Sequence, residues 1–173
     1  MQKLNQESLK SLQAPLKEKY KTDADSALIT LKATGNLQDG ISCSVETGKA
    51  LVKAGLHPAT GGSGSLACSG DMLLEALVAC AGVTMNAVAT SIGIELRNAK
   101  VSAEGDLDFR GTLGVSKDVQ VGFKSIRLSF QLDTDADDES LASLMKLTER
   151  YCVVYQTLNS GVQVETAFSK ISL

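Results

Sequence analysis

The sequence predicts a mixed fold, in which one long apolar helix lies between two groups of antiparallel strands. Apolar residues alternate with polar ones in three segments, 41–45, 101–109 and 126–132, as in strands with one buried face. Residues 69–92 are apolar at nearly every position, which is typical of a buried helix. The 173 residues, 43% of them apolar, suit one domain or one intertwined subunit of a dimer.

The chain begins with a predicted helical arm, residues 1–26. Leu9, Leu12 and Leu16 fall at helical spacing among lysines and glutamates, which indicates a short amphipathic helix. Pro15 is expected to limit or kink this helix, because proline lacks the N–H that a helix interior needs. Residues 27–173 are predicted to form the main domain.

The main domain is predicted to open with an antiparallel meander. Strands are expected at 27–33 and 41–45, and the apolar residues 50–52 follow them. Turn-forming residues separate these segments, at 34–36, 38–40 and 47–48. The glycine-rich stretch 55–70 lacks the Gly-Lys-Ser/Thr ending of a phosphate-binding loop, so it is expected to be a connector.

The long apolar segment is expected to be a helix that Ser69 caps and Gly93 ends. Four polar residues interrupt it, so a membrane-spanning role is not expected: Asp71, Glu75, Thr84 and Asn86. Aromatic residues make up only 4% of the chain, which leaves one subunit little bulk to cover this helix. The pattern therefore favours a homodimer in which both chains shield it.

The second half of the chain is predicted to form a hairpin, a helix and a last strand. Residues 101–109 and 126–132 are the hairpin strands, joined by a loop at 111–118. The acidic residues at 134–139 suit a helix start, where the helix dipole favours negative charge. The following residues share one buried helical face: Leu141, Leu144, Met145, Thr148 and Cys152. Residues 162–168 are expected to form the closing strand.

The composition argues against several classes of function. A net charge of −3, without a cluster of lysines and arginines, does not suit a nucleic-acid partner. His57 is the lone histidine and the cysteines show no Cys-x-x-Cys spacing, so neither a metal site nor a cofactor is predicted. The N-terminal residues lack the apolar segment of a secretory signal. The cysteines are therefore expected to be free thiols in a reducing cytoplasm.

Cys80 and Cys152 lie far apart in sequence, each in an apolar helical segment. If the fold brings the two thiols together in an apolar cleft, they form a redox site, because a thiolate can attack an O–O bond. A buried cysteine is also often only a small apolar core residue. The pattern by itself leaves both interpretations open.

The order of elements and three motifs resemble the OsmC/Ohr superfamily, named for osmotically inducible protein C and organic hydroperoxide resistance protein. The motifs are the glycine-rich residues 61–64, the run 71–80 that ends in Cys80, and residues 149–152, Glu-Arg-Tyr-Cys. The resemblance covers roughly residues 27–168. It implies an OsmC-like α+β fold, with antiparallel sheets packed around a long central helix. It also implies an intertwined homodimer with active sites at the subunit interface.

The resemblance further implies a chemistry for the two cysteines. Cys80 would attack a peroxide oxygen and become a sulfenic acid, and Cys152 would condense with it to a disulfide. A dithiol reductant would then restore both thiols. The implied function is a thiol-dependent peroxidase for small organic hydroperoxides. The alternatives are a dimer of this fold that binds an apolar ligand with little turnover, and a redox sensor.

The sequence departs from the better-known hydroperoxidases of the superfamily, in which an Arg near the N-terminal strands and a Glu early in the central helix polarise the thiolate. This chain has Asn36 near the N-terminal turn and Gly70 ten residues before Cys80. Asp71 is predicted to replace the Glu, and no arginine is an obvious substitute for the Arg. We therefore expect Cys80 to ionise less readily than in a site that has an arginine.

Overall fold

A computed structural model describes the protein at residues 5–28, 30, 34–38, 42–46 and 51–167. Within these residues the fold is mixed α+β, as predicted. The elements follow one another as α1 (Gln6–Thr22), β1 (Thr34–Gln38), β2 (Ser42–Glu46), β3 (Leu51–Gly55), β4 (Ala67–Cys68), α2 (Ser69–Ile92), β5 (Asn98–Leu107), α3 (Phe109–Thr112), β6 (Phe123–Asp133), α4 (Asp138–Tyr151) and α5 (Val153–Ser160).

The strands form two sheets. In the first, β1, β2 and β3 are antiparallel neighbours and the short β4 pairs in parallel with β3. In the second, β5 and β6 form an antiparallel hairpin, with Val101 opposite Phe130 and Ala103 opposite Leu128. The apolar face of this hairpin is half-buried and its polar face is exposed, which confirms the alternating pattern in the sequence.

Helix α2 buries one stripe of its surface. Leu77, Ala81, Met85 and Ala89 recur every fourth residue and are at most 2% exposed. Met85 and Ala89 form a cluster with Leu144 of α4, and side chains of β6 pack against it. Gly93 ends α2 with a φ of 78°, a left-handed conformation that favours glycine. The predicted bounds are confirmed, but Cys68 rather than Ser69 occupies the N-cap position.

The other face of α2 is apolar and exposed in one subunit. Val83 is 72% exposed, and Ala76 and Ala79, which lie beside it on this face, are exposed as well. The prediction of a helix buried on all sides is therefore not met within a single chain. By length and composition alone α2 is able to cross a membrane, a test that the core helices of soluble proteins also pass.

The structure corrects the N-terminal predictions. Helix α1 continues through Pro15, so of the two predicted effects the proline does not limit the helix. Ala27 ends a 3₁₀ turn that the Asp23 side chain caps, so residues 27–33 do not begin as a strand. Residues 34–36 belong to β1 although they resemble a turn, because pairing with β2 outweighs their weak strand propensity. The predicted turn at 38–40 is wrong for Gln38, which ends β1, and residues 39–40 and the predicted turn at 47–48 lie outside the described residues.

Two further predictions are wrong. Phe109 was expected on a strand but lies in the short helix α3, which the Asp108 side chain caps by accepting from the Arg110 N–H at 3.1 Å. Residues 162–167 do not form a strand, since no described strand of the same chain pairs with them. Val164 is consequently 82% exposed. Phe168, the last residue of that predicted strand, lies outside the described part of the chain.

The fully buried Leu144 gives a test of this core. Leu144→Ala removes a side chain that is 0% exposed, and we expect it to lower the free energy of unfolding by about 2–5 kcal/mol. The matched control is Leu113→Ala, because Leu113 is 55% exposed and the change should cost less than about 0.5 kcal/mol. Urea denaturation at one fixed protein concentration measures both changes. Equal losses would contradict the assigned core.

Candidate active site

Helix α2 holds Cys80 beside its buried stripe. Leu77 and Ala81, on either side of Cys80 in the helix, are 2% and 0% exposed. Cys80 itself is half-buried. Because α2 packs against both α4 and α5, the thiol lies next to the junction of those two helices. The packed stripe fixes the position of the sulfur while part of the residue stays accessible.

Cys152 is the residue at which α4 ends and α5 begins. It is 1% exposed, and its ψ of 108° is extended whereas the residues on both sides are helical. Its carbonyl accepts the first hydrogen bond of α5, from the Gln156 N–H at 2.9 Å. Three N–H groups at the start of α5 therefore have no carbonyl partner within that helix: those of Val153, Val154 and Tyr155.

This helix break brings the two thiols into contact. The N–H groups of Val153 and Val154, the Cys152 thiol and the Thr84 hydroxyl are the donors close enough to the Cys80 sulfur to act on its pKa. Cys80 and Cys152 are both free. The two cysteines that the sequence singled out thus share one site within a single subunit.

The hydrogen-bond donors decide the ionisation of Cys80. Burial raises the pKa of this thiol, but the N–H of Val154, the Cys152 thiol, the N–H of Val153 and the Thr84 hydroxyl together bring it below its ordinary value. The prediction that Cys80 ionises less readily than in a site with an arginine stays a prediction, because this lowering is relative to an ordinary thiol.

Cys152 ionises in the opposite sense. Burial raises the pKa of its thiol, and the neighbouring Cys80 thiolate raises it further. The N–H of Tyr155 acts against this rise without cancelling it. Of the two, Cys80 is therefore the thiol that ionises first, and Cys152 keeps its proton to a higher pH.

Asp71, the third predicted site residue, lies elsewhere in the subunit. It is exposed in the first turn of α2, nine residues before Cys80, which is about 13 Å along a helix axis. With Cys68 and His57 it lines a separate cavity of about 350 Å³. Within one chain Asp71 does not reach Cys80, so its predicted role in polarising the thiolate would need a second subunit.

The arginines are also engaged away from Cys80. Each has a partner of its own: Arg97 pairs with Asp133 and Asp135, Arg110 with Asp108, and Arg127 with Asp106, while Arg150 lies over the Tyr151 ring at 5.6 Å. Within the described part of the chain, none of them is among the groups that bond to the Cys80 sulfur.

A cavity of about 460 Å³ opens between β6, α4 and α5. Its lining is mixed: the apolar side chains include Phe123, Phe130, Met145 and Leu158, and the charged ones are Lys124 and Glu149. Neither cysteine lines it. Two of its other residues are next to them, however: Leu77 lies one helical turn before Cys80, and Tyr155 supplies the N–H that faces Cys152. The cavity is adjacent to the thiol pair.

His57 has a structural environment rather than metal-binding neighbours. Its Nδ1 accepts from the Ala59 N–H at 3.0 Å, and its ring stacks on Phe109 with centroids 4.9 Å apart. Among the residues that the structure describes, no group of three or more His, Cys, Asp or Glu side chains is placed to hold a metal ion.

The family of this chain is shown by sequence. A family model described as OsmC-like protein matches residues 62–167, which is more than half of the chain and includes both cysteines. The protein belongs to the OsmC-like family. Among curated proteins, none is detectably similar to it in sequence.

Solved structures with the same fold agree with this assignment. An OsmC-like protein from Mycoplasma pneumoniae superposes with a TM-score of 0.65 at 16% identity, over 77% of this chain and 89% of that one. Organic hydroperoxide resistance proteins from Elizabethkingia anophelis and Legionella pneumophila give TM-scores of 0.62 and 0.61, both at 17% identity. They cover 78% and 80% of this chain, and 91% and 95% of their own. At this identity the likeness establishes the fold alone.

Sequence reasoning missed four residues of this OsmC-like site: Thr84, Val153, Val154 and Tyr155. A signal for Thr84 was available, since it follows Cys80 by four residues and so shares its helix face. The other three act through backbone N–H groups. These groups are available only because of a helix break, which the sequence of residues 149–157 does not predict.

The unequal ionisation of the two thiols is testable by alkylation. Thiolate, not thiol, reacts with iodoacetamide, so the rate at each cysteine follows its ionised fraction as pH rises. We expect the midpoint for Cys80 to lie below that of an ordinary thiol and the midpoint for Cys152 to lie above it. Mass spectrometry of the labelled peptides separates the two sites. The reverse order would contradict the geometry described.

Proposed function

We propose that this OsmC-like protein is a thiol-dependent peroxidase that reduces organic hydroperoxides. The observation that carries the proposal is the contact between a Cys80 sulfur whose pKa is lowered and a Cys152 thiol whose pKa is raised. A peroxidase of this type needs one ionised nucleophile and a second, protonated thiol within reach.

In the proposed reaction the Cys80 thiolate attacks one oxygen of the hydroperoxide and the O–O bond breaks. The sulfur becomes a sulfenic acid, and the alkoxide that leaves takes up a proton to become an alcohol. The Cys152 sulfur then attacks the Cys80 sulfur, which forms a disulfide and releases water. A dithiol reductant restores both thiols and is itself oxidised to a disulfide. A reducing cytoplasm, where we place this protein, supplies reductants of that class.

The 460 Å³ cavity supports an organic substrate. Its phenylalanines and leucines would bury an alkyl chain, whereas hydrogen peroxide has no apolar part to gain from them. The solved structures of the same fold include proteins named for organic hydroperoxide resistance, in keeping with this substrate class.

Substitution of each cysteine tests the roles. Cys80→Ser should abolish the consumption of tert-butyl hydroperoxide, because the nucleophile is lost. Cys152→Ser should leave a sulfenic acid at Cys80 that dimedone labels, because no second thiol condenses with it. The matched control is Cys68→Ser, since Cys68 is a free thiol outside the pair. Wild-type turnover by Cys80→Ser would exclude the assigned nucleophile.

We also propose that the protein works as a homodimer. The exposed apolar face of α2, with Val83 at its centre, is a surface that a second copy would bury. Residues 162–167 add the exposed Val162 and Val164, which find no strand partner in their own described chain. A second copy of the chain would cover both surfaces at once.

A charge on this face should separate the subunits. We expect Val83→Asp to be monomeric in sedimentation velocity at micromolar concentration, whereas the wild type is dimeric, because a buried, unpaired carboxylate is costly. Val115→Asp is the control, since Val115 is 71% exposed in the loop after α3 and lies far from α2 in sequence. A wild-type monomer would count decisively against the dimer.

A second candidate function is the binding of an apolar ligand with little turnover. The observation that favours it is that neither cysteine lines the 460 Å³ cavity. Counting free thiols before and after cumene hydroperoxide separates the two candidates. Loss of two thiols per chain, restored by a dithiol, supports the peroxidase, while retention of all thiols supports the binding protein.

A further inference from the structure

An irregularity in β6 places Phe123 on the inner face of the β5–β6 hairpin. Leu107 of β5 pairs with Phe123, but the residue that precedes Leu107 pairs with Ser125. Lys124 lies between these two partners and has none of its own in β5, which is a β-bulge. The extra residue reverses the alternation of side chains beyond it. Phe123 is consequently half-buried and Lys124 exposed, whereas an unbroken alternation along β6 would have placed them the other way round.

The ring of Phe123 lies against Gly105 of β5, where the absence of a side chain makes room for it. A Cβ atom at Gly105 would lie 2.5 Å from both Cδ1 and Cε1 of the ring, well inside van der Waals contact. The tip of the ring reaches the first turn of α2, since a Cβ atom at Gly70 would lie 3.6 Å from Cζ. Two glycines thus let an aromatic ring fit between the hairpin and the start of α2.

This ring separates two cavities. One is the 460 Å³ cavity between β6, α4 and α5, and the other is the 350 Å³ cavity beside the start of α2. Among the described residues that line them, Phe123 alone belongs to both. Beyond the ring the smaller cavity continues along further apolar side chains: Leu74, Leu107 and Phe109. Removal of the ring would therefore join the two cavities into one.

We propose that Phe123 limits the length of the alkyl chain that the 460 Å³ cavity accepts, because its ring closes one end of that cavity. This inference rests on the proposed peroxidase function, in which the cavity holds the organic part of a hydroperoxide. A chain longer than the cavity leaves its last carbons in water, and those carbons add nothing to binding. The substrates that follow are hydroperoxides whose alkyl part fits within the closed cavity.

The test measures how primary alcohols of four to twelve carbons bind to the full-length, reduced protein by isothermal titration calorimetry. Alcohols are the products of the proposed reaction, so their binding needs no turnover. For the wild type we expect a gain in affinity of about fourfold per methylene until the chain fills the cavity, and no gain beyond that length. For Phe123→Ala we expect the gain to continue over about two more carbons, so that the longest alcohols bind roughly tenfold more tightly than to the wild type.

Phe109→Ala is the matched control, because it removes an aromatic ring that lines the smaller cavity alone. It should leave the length limit where the wild type has it. Phe123→Leu is a milder variant that should extend the limit by a smaller amount, and it replaces Phe123→Ala should alanine impair folding. The proposal is overturned if removal of the Phe123 ring leaves the limit unchanged, if Phe109→Ala extends it equally, or if the wild type binds none of the alcohols.

Alcohol binding involves no peroxide, so this proposal and the proposed function fail separately. An extended limit in Phe123→Ala, in a protein whose wild type consumes no hydroperoxide, would overturn the peroxidase and keep Phe123 as the end wall of a ligand-binding cavity. Consumption of tert-butyl hydroperoxide by the wild type, with the same length limit in both proteins, would do the reverse.

Discussion

The site depends on a single break in the backbone helix at Cys152. If α4 continued through this residue, the N–H groups of Val153, Val154 and Tyr155 would bond to carbonyls one turn earlier and none would be free. The extended ψ of Cys152 releases them instead. Two of them lie close to the sulfur of Cys80 and the third faces Cys152. One local change of backbone conformation therefore places the two thiols together and makes their pKa values unequal.

The same helix that carries Cys80 also anchors the core. The buried stripe of α2 runs through Leu77, Ala81 and Met85, and the row of Cys80 and Thr84 lies directly beside it. Close packing leaves few alternative positions for that stripe. The position of the reactive sulfur is therefore determined by the apolar contacts of neighbouring residues. Helix α2 carries the reactive cysteine and also contributes to the core that stabilises the fold.

Among the described residues, the groups that lower the pKa of the Cys80 thiol are neutral donors and not charged side chains. The arginines of the chain have carboxylate or aromatic partners of their own, all outside the group that bonds to Cys80. Neutral donors of this kind lower the pKa of the thiol only if the backbone that carries them is correctly placed. It ties the reactivity of Cys80 to where α5 begins and how it packs on α2.

The sequence by itself determined what periodicity and composition encode: the bounds of α2, the strand β2, the β5–β6 hairpin and the family to which the chain belongs. It also singled out Cys80 and Cys152, because cysteine is chemically distinctive wherever it stands. It misjudged residues 34–36 and 162–167, since strands exist only through hydrogen bonds to a neighbour that local propensity does not specify. Only the tertiary structure decided that the two thiols meet, that Asp71 lies away from them in one subunit, and that backbone N–H groups lie close to the Cys80 sulfur. Those outcomes depend on the direction in which α5 leaves Cys152, and residues far apart in the chain set that direction by packing together.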